Sequence, residues 1–214
     1  MSAMSGHLGN LYWLQKSDVR RAAAVMVDAF GHDPIWKAVL SDTTRTQKVS
    51  AFETPLRYCL KYGRVYATSA NLEGVAAWLP DDSTIFTPLR LVWSGAMPAA
   101  FRLGWKTAKK MEPIFGPLEA YRTETMRETP FVYLQIIGVE TAMQGRGFGG
   151  TLLRALIGDC EQSGKSLYLE TETEDNVRFY EQFGFVVVRQ ITLPVIDLPM
   201  WLMVRSAGKP AGIQ

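Results

Sequence analysis

Gln144-Gly145-Arg146-Gly147-Phe148-Gly149-Gly150 follows an apolar run, Leu134 to Val139, and precedes a helical pattern from Thr151 to Gln162. Four glycines in six residues are costly to hold in order, because glycine loses more backbone freedom on folding than any other residue. They fit a place where backbone N–H groups must come close to a ligand. A strand, a glycine turn and a helix start together make an anion site: the first N–H groups of the helix lack partners, and its dipole favours negative charge. Arg146 adds a fixed positive charge. The stretch points to a phosphate or pyrophosphate.

Two frames fit these glycines. Gly145, Gly147 and Gly150 match G-x-G-x-x-G, and Glu170 lies about twenty residues further on, where a ribose-binding acid would sit. A dinucleotide turn starts almost directly after its strand, however, and here Glu140-Thr141-Ala142-Met143-Gln144 intervene. The stretch also comes too late in the chain for two three-stranded halves.

The other frame is Gln144-x-x-Gly147-x-Gly149 after Ile137-Gly138-Val139, followed by Leu167-Tyr168-Leu169-Glu170 and then Asn176-Val177-Arg178-Phe179-Tyr180-Glu181-Gln182-Phe183-Gly184-Phe185. In this frame the chain resembles the GNAT superfamily of N-acetyltransferases, closely over residues 131–204 and loosely over the first 80. It departs at Thr141, where many members have proline, and at Val177, where alanine is common. Within the superfamily, Tyr133 to Phe185 and Asp28-Ala29-Phe30…Asp33-Pro34 look most like the puromycin N-acetyltransferase group.

The resemblance implies a GNAT α/β fold: a twisted mixed sheet of six to seven strands flanked by helices. Residues 80–130 exceed the short turn that joins the third and fourth strands of a minimal member, and read as a helical insertion. The implied activity moves an acetyl group from acetyl-CoA, as co-substrate and without a metal, to a primary amine of a small molecule by direct attack in a ternary complex. Gln144, Gly145, Arg146, Gly147, Phe148, Gly149 and Gly150 would bind the pyrophosphate. The strands Tyr133–Val139 and Leu167–Thr171 would splay at a bulge near Ile137-Gly138-Val139 and take the pantetheine arm like an added strand. Gly138 in mid-strand suits that bulge, or tight packing under a helix. The Val139 N–H would stabilise the oxyanion, and Tyr180 would act as general acid. Asn176 would bind the pantetheine amides, with helix capping as its competing use. Glu170 is the first choice for the base, with Glu172, Glu140 or a water chain as alternatives. Tyr133 and Gln135 would line the acceptor pocket, as would Trp78, Trp93 and Trp105 unless these are plain core or bury a dimer contact. Asp28, Asp33 and Glu53 are candidates for holding the amine's charge. The alternatives are a protein N-terminal or lysine acetyltransferase, which needs an open groove, and a non-catalytic acyl-CoA-binding regulator.

Composition fits this picture. A hydrophobic share of 47% with 21% charged residues describes an ordinary globule, and a net charge of +2 argues against a nucleic-acid partner. Two cysteines and two histidines are too few for a disulfide framework, a zinc site or a Ser-His-Asp system. No apolar run approaches membrane-spanning length and no signal pattern opens the chain, so the expected compartment is the cytoplasm, with no membrane partner. The expected organisation is one domain over 1–214, as monomer or homodimer, with a frayed stretch over residues 1–9 and a flexible tail at 206–214. Helices are expected at Asp18–Phe30 (capped by Ser17), Asp33–Leu40, Thr44–Tyr62, Pro88–Gly95, Ala99–Met111 and Leu118–Arg127.

Overall fold

The structure is a computed structural model that describes residues 7–207. The expected tail falls outside these residues apart from Ser206 and Ala207, and Ala207 N donates to Ser166 Oγ at 3.1 Å. The expectation of fraying does not hold at Leu8, which is fully buried.

After the short strand β1 (Tyr12–Trp13), the chain forms helices α1 (Val19–Ala29), α2 (Pro34–Leu40) and α3 (Arg45–Tyr62). Their starts follow local chemistry. Asp33 caps α2 by accepting from Trp36 N at 2.9 Å, with Pro34 in the first helical position. Thr44 and Gln47 form a reciprocal capping box on α3. For α1 the expected Ser17 cap is replaced by Asp18, whose carboxylate accepts from the Tyr12 hydroxyl at 2.8 Å and from Gln15 N at 3.2 Å instead of from its own helix.

Strands β2 (Arg64–Ala67) and β3 (Gly74–Pro80) form a hairpin and lead into α4 (Pro88–Trp93), α5 (Met97–Leu103) and α6 (Trp105–Thr125). This helical region differs from the sequence expectation. Gly104, at φ +86°, separates α5 from α6. The long helix then runs straight through Pro113 and Pro117, where the sequence reading placed a break. Ile114, Leu118 and Arg122 recur every four residues and are all buried, so packing along one face outweighs the hydrogen bonds the prolines remove.

The remaining order is β4 (Phe131–Val139), α7 (Phe148–Ser163), β5 (Ser166–Thr171), α8 (Glu174–Glu181), β6 (Val186–Leu193) and β7 (Leu198–Arg205). The seven strands form one mixed sheet in the order β1-β2-β3-β4-β5-β7-β6, and only β4 and β5 run parallel. Residues of α1 and α3 pack on one face of the sheet and those of α7 on the other, so the middle of the sheet is buried on both sides while most of the edge strand β6 is exposed.

Candidate functional site

The site begins with a mismatch in the sheet. β4 and β5 pair only at Phe131↔Ser166, Val132↔Leu167 and Tyr133↔Tyr168, so β4 continues from Leu134 to Val139 with no partner on that side among the described residues. The bulge is not at Ile137-Gly138-Val139 as expected: those three residues stay in register with Ala76, Val75 and Gly74. It falls at Gln135, skipped between Ala77↔Ile136 and Trp78↔Leu134. One extra residue there reverses which face each later side chain occupies. Tyr133 and Ile136 consequently share one core while Leu134 and Ile137 face the other.

The register also fixes the peptide directions. Glu140 N donates to Glu73 O at 2.8 Å. In an antiparallel ladder hydrogen-bonded pairs alternate with non-bonded ones, so Val139 and Ile137 turn their N–H and C=O groups away from β3 and into the gap beside β5. Val139 O is met there by Gln144 Nε2 at 3.2 Å, which closes the following loop onto the strand. Gly138 owes its missing side chain to packing rather than to a bulge. A Cβ there would lie 2.7 Å from Met26 Sδ, 3.1 Å from Ala29 Cβ and 3.2 Å from the Phe30 ring, all at the end of α1.

The loop above the gap has the geometry of an anion cradle. Gly145 (φ +75°) and Gly147 (φ +85°) are left-handed, and no other atom lies within 4 Å of a Cβ built at either, so backbone conformation alone demands glycine at both. Gly147 caps α7 without a side-chain partner, and no acidic residue stands in the first turn. The N–H groups of Phe148, Gly149 and Gly150 precede the first intrahelical bond, Thr151 N to Gly147 O at 3.0 Å. Arg146 lies over the Phe148 ring at 5.8 Å and Arg154 over the Phe183 ring at 5.7 Å. Arg154 also reaches back to Gly150, 3.3 Å from a Cβ built there. Neither arginine makes an ion pair among the described residues. Arg154 is absent from the sequence reading, although its place four residues after Gly150 on a helix puts it on the same face.

Helix α8 lies beside the glycine loop: a Cβ built at Gly149 would sit 3.8 Å from the Phe179 ring and 3.7 Å from the Val139 side chain. Its cap is Thr173, which accepts from Asn176 N at 3.2 Å, so Asn176 does not cap and its exposed amide makes no side-chain hydrogen bond among the described residues. Tyr180 is 8% exposed and its ring packs on Phe179 and Phe185. Its hydroxyl also makes no hydrogen bond among the described residues. Burial, reinforced by the nearby Glu172 carboxylate, raises its pKa, so the hydroxyl keeps its proton at neutral pH.

The carboxylates are placed differently from expectation. Glu170 is not an open base. It is buried and bonded to Arg122 of α6 at 3.1 Å, with both side chains about 5–6% exposed. Arg122 in turn stacks over the Tyr133 ring at 4.2 Å. Burial raises the Glu170 pKa despite the adjacent guanidinium. Glu53 is likewise committed, held between Arg57 at 2.8 Å and Arg102 at 2.9 Å. Burial first, and then Asp33, raise the Glu172 pKa. Trp78 is core, stacked on Tyr66 at 5.3 Å, while Trp93 and Trp105 are both 68% exposed.

Residues 92–185 match the profile of the acetyltransferase (GNAT) family. The fold is that of the GNAT acetyltransferases. An uncharacterized N-acetyltransferase of Schizosaccharomyces pombe is 26% identical over 202 residues, covering 90% of this chain and 81% of that protein. Among solved structures, "histone acetyltransferase HPA2 and related acetyltransferase" from Corynebacterium glutamicum superposes with a TM-score of 0.61 at 19% identity, covering 95% and 98% of the two chains. Arylalkylamine N-acetyltransferase 2 from Aedes aegypti gives 0.65 at 12%, covering 92% and 98%. An agmatine N-acetyltransferase gives 0.63 at 12%, covering 91% and 97%. These likenesses support an acetyl-CoA-dependent acyltransferase. No helix among the described residues is long and apolar enough to cross a membrane.

Proposed function

We propose that the protein transfers the acetyl group of acetyl-CoA to the primary amine of a small molecule, by direct attack within a ternary complex. The observation that carries this reading is the one-sided β4 edge from Leu134 to Val139, open between the α7 anion cradle and the Tyr180 hydroxyl. The cradle N–H groups, with Arg146 and Arg154, bind the pyrophosphate. Ile137 and Val139 offer backbone groups to the pantetheine arm as a missing strand would, and Asn176 offers a free amide from α8. The Val139 N–H stabilises the negative charge that develops on the thioester carbonyl oxygen. Tyr180, neutral at working pH, gives its proton to the departing thiolate.

A small acceptor is favoured over a polypeptide because α6 lies over the acceptor side, fixed to β5 through Arg122. The likeness of Asp28-Ala29-Phe30…Asp33-Pro34 to the puromycin group, and the small amines named in two of the structural neighbours, support the same choice. Two buried free cysteines are in keeping with a reducing cytoplasm.

Calorimetry with coenzyme A tests the cradle. Gly147→Val forces a branched side chain into a left-handed position and should abolish binding with the fold intact, so undiminished affinity refutes the assignment. Tyr180→Phe should cut turnover about a hundredfold while coenzyme A affinity stays nearly unchanged. Unaltered turnover removes Tyr180 from the acid role.

A further inference from the structure

Exposed apolar side chains scattered singly over a surface are ordinary, but this chain gathers six of its large ones between residues 85 and 105. Ile85, Leu89, Val92, Trp93, Phe101 and Trp105 are between 46% and 76% exposed, and all lie on the helical insertion. Helix α4 buries none of its residues, and Leu89, Val92 and Trp93 have the spacing of one helix face. On α5 and the start of α6 the buried residues are Ala99, Leu103 and Thr107. Phe101 and Trp105 stand two residues from these, on the opposite side.

The patch is firmly mounted. The Tyr58 hydroxyl of α3 reaches Ser83 O at 3.1 Å and Ile85 O at 2.7 Å, and its ring stacks on Phe86 at 4.0 Å. Gln47 Nε2 donates to Leu103 O at 3.0 Å, and Arg102 is bonded to Glu53 at 2.9 Å. The apolar face is thus preformed, and little ordering is left for a partner to impose.

Charge selects the partner. Residues 83–111 carry Arg90, Arg102, Lys106, Lys109 and Lys110 and no acidic residue, in a chain with 21 Asp and Glu against 23 Lys and Arg. Arg102 and Lys110 are paired with Glu53 and Asp42. Arg90, Lys106 and Lys109 make no ion pair among the described residues. Lys109 Nζ lies over the Trp105 ring at 5.5 Å, so cation and apolar ring stand side by side. A second copy would set these cations against each other across a two-fold contact, which repels. A nucleic acid could stack on Trp93, Phe101 and Trp105 but has no use for Ile85, Leu89 and Val92. An anionic bilayer meets both properties: apolar side chains enter the boundary between headgroups and acyl chains, and Lys and Arg meet the headgroup charge.

We propose that the face built by α4, α5 and the start of α6 docks the protein on an anionic lipid surface. Leu89, Trp93, Phe101 and Trp105 enter the boundary layer, with Arg90, Lys106 and Lys109 among the headgroups. The docking is independent of the acyltransfer reading above. The expectation of no membrane partner came from the want of a spanning run, and a protein that lies on a lipid surface needs none.

The test sediments the full chain with vesicles of phosphatidylcholine and phosphatidylserine in equal parts, and with phosphatidylcholine alone, at about 0.1 M salt, where screening acts over about 10 Å. The mixed vesicles should bind at least about tenfold more tightly. Lys106→Gln with Lys109→Gln removes two cations at about fivefold each, so affinity should fall about tenfold or more. Leu89→Ser with Phe101→Ser should bring a similar loss. Both pairs change exposed side chains, so melting midpoints and coenzyme A affinity should hold. Lipids brominated along the acyl chain should quench the wild-type tryptophan emission, and Trp93→Phe with Trp105→Phe should sediment normally while losing most of that quenching. The proposal is overturned if the mixed vesicles leave the protein in solution, if either of the first two pairs binds like wild type, or if the protein sediments without quenching, which is adsorption by charge alone. It is overturned equally if light scattering shows a wild-type dimer that either pair splits, or if the protein holds to heparin but not to vesicles. The patch then serves a second copy or a soluble polyanion.

Discussion

Gly138→Ala is the most direct probe of how α1 sits on the gap. The added methyl would meet Met26 Sδ at 2.7 Å, Ala29 Cβ at 3.1 Å and Phe30 at 3.2 Å, where ordinary contacts begin near 3.4 Å. The Met26 side chain is flexible but fully buried, so its sulfur has to yield by most of an ångström into an occupied core. Ala29 Cβ is fixed to its helix and can give way only if α1 moves. Overpacking of this kind costs about 1–3 kcal/mol, and the two short contacts beyond the flexible sulfur place Gly138→Ala near the middle of that range. For a chain of this length the melting midpoint should fall by about 4–8 °C. A double-mutant cycle isolates the cause. Met26→Ala alone should cost about 2–5 kcal/mol through the cavity it leaves. The new methyl partly fills that cavity, so the double variant should be more stable than the sum of the single effects by about 0.5 kcal/mol or more. A loss below about 0.5 kcal/mol for Gly138→Ala, or strict additivity in the cycle, would falsify the packing account and return Gly138 to a backbone role in the gap.

Two further outcomes concern the carboxylates. Arg122→Ala strands the buried Glu170 charge and should destabilise the protein by about 3–5 kcal/mol in denaturant titration; replacing both residues by methionine should recover most of that loss, and no recovery would argue against an isolated pair. Glu172 has a raised pKa in the folded protein, faced by Asp33 and Tyr180, so its stabilising contribution is complete at low pH and is lost as pH rises from the ordinary carboxylate range to about 9. Melting scans should show Glu172→Gln losing less stability than wild type over that interval, and parallel curves would contradict the raised pKa.

What could be read from the sequence was local. The Gln144–Gly150 cradle, the Asp33-Pro34 start and the Thr44/Gln47 box each depend on residues within one turn of each other, and each folds as its chemistry dictates. The bulge at Gln135 left no trace, because a β-bulge is a property of two strands and residues on either side of it look alike in isolation. The course of α6 through Pro113 and Pro117 is decided by a buried face that exists only once the sheet is in place. Charge pairing was the least legible feature. Glu170 reads as a free acid until α6 delivers Arg122.

The three rungs joining β4 to β5 carry one last implication. The half-sheet of β5, β7 and β6 hangs from the rest by that short seam, by side-chain packing, and by the clamp from α6. A coenzyme arm lying along Ile137 and Val139 would lengthen the seam, making the co-substrate a mechanical brace as well as an acetyl donor.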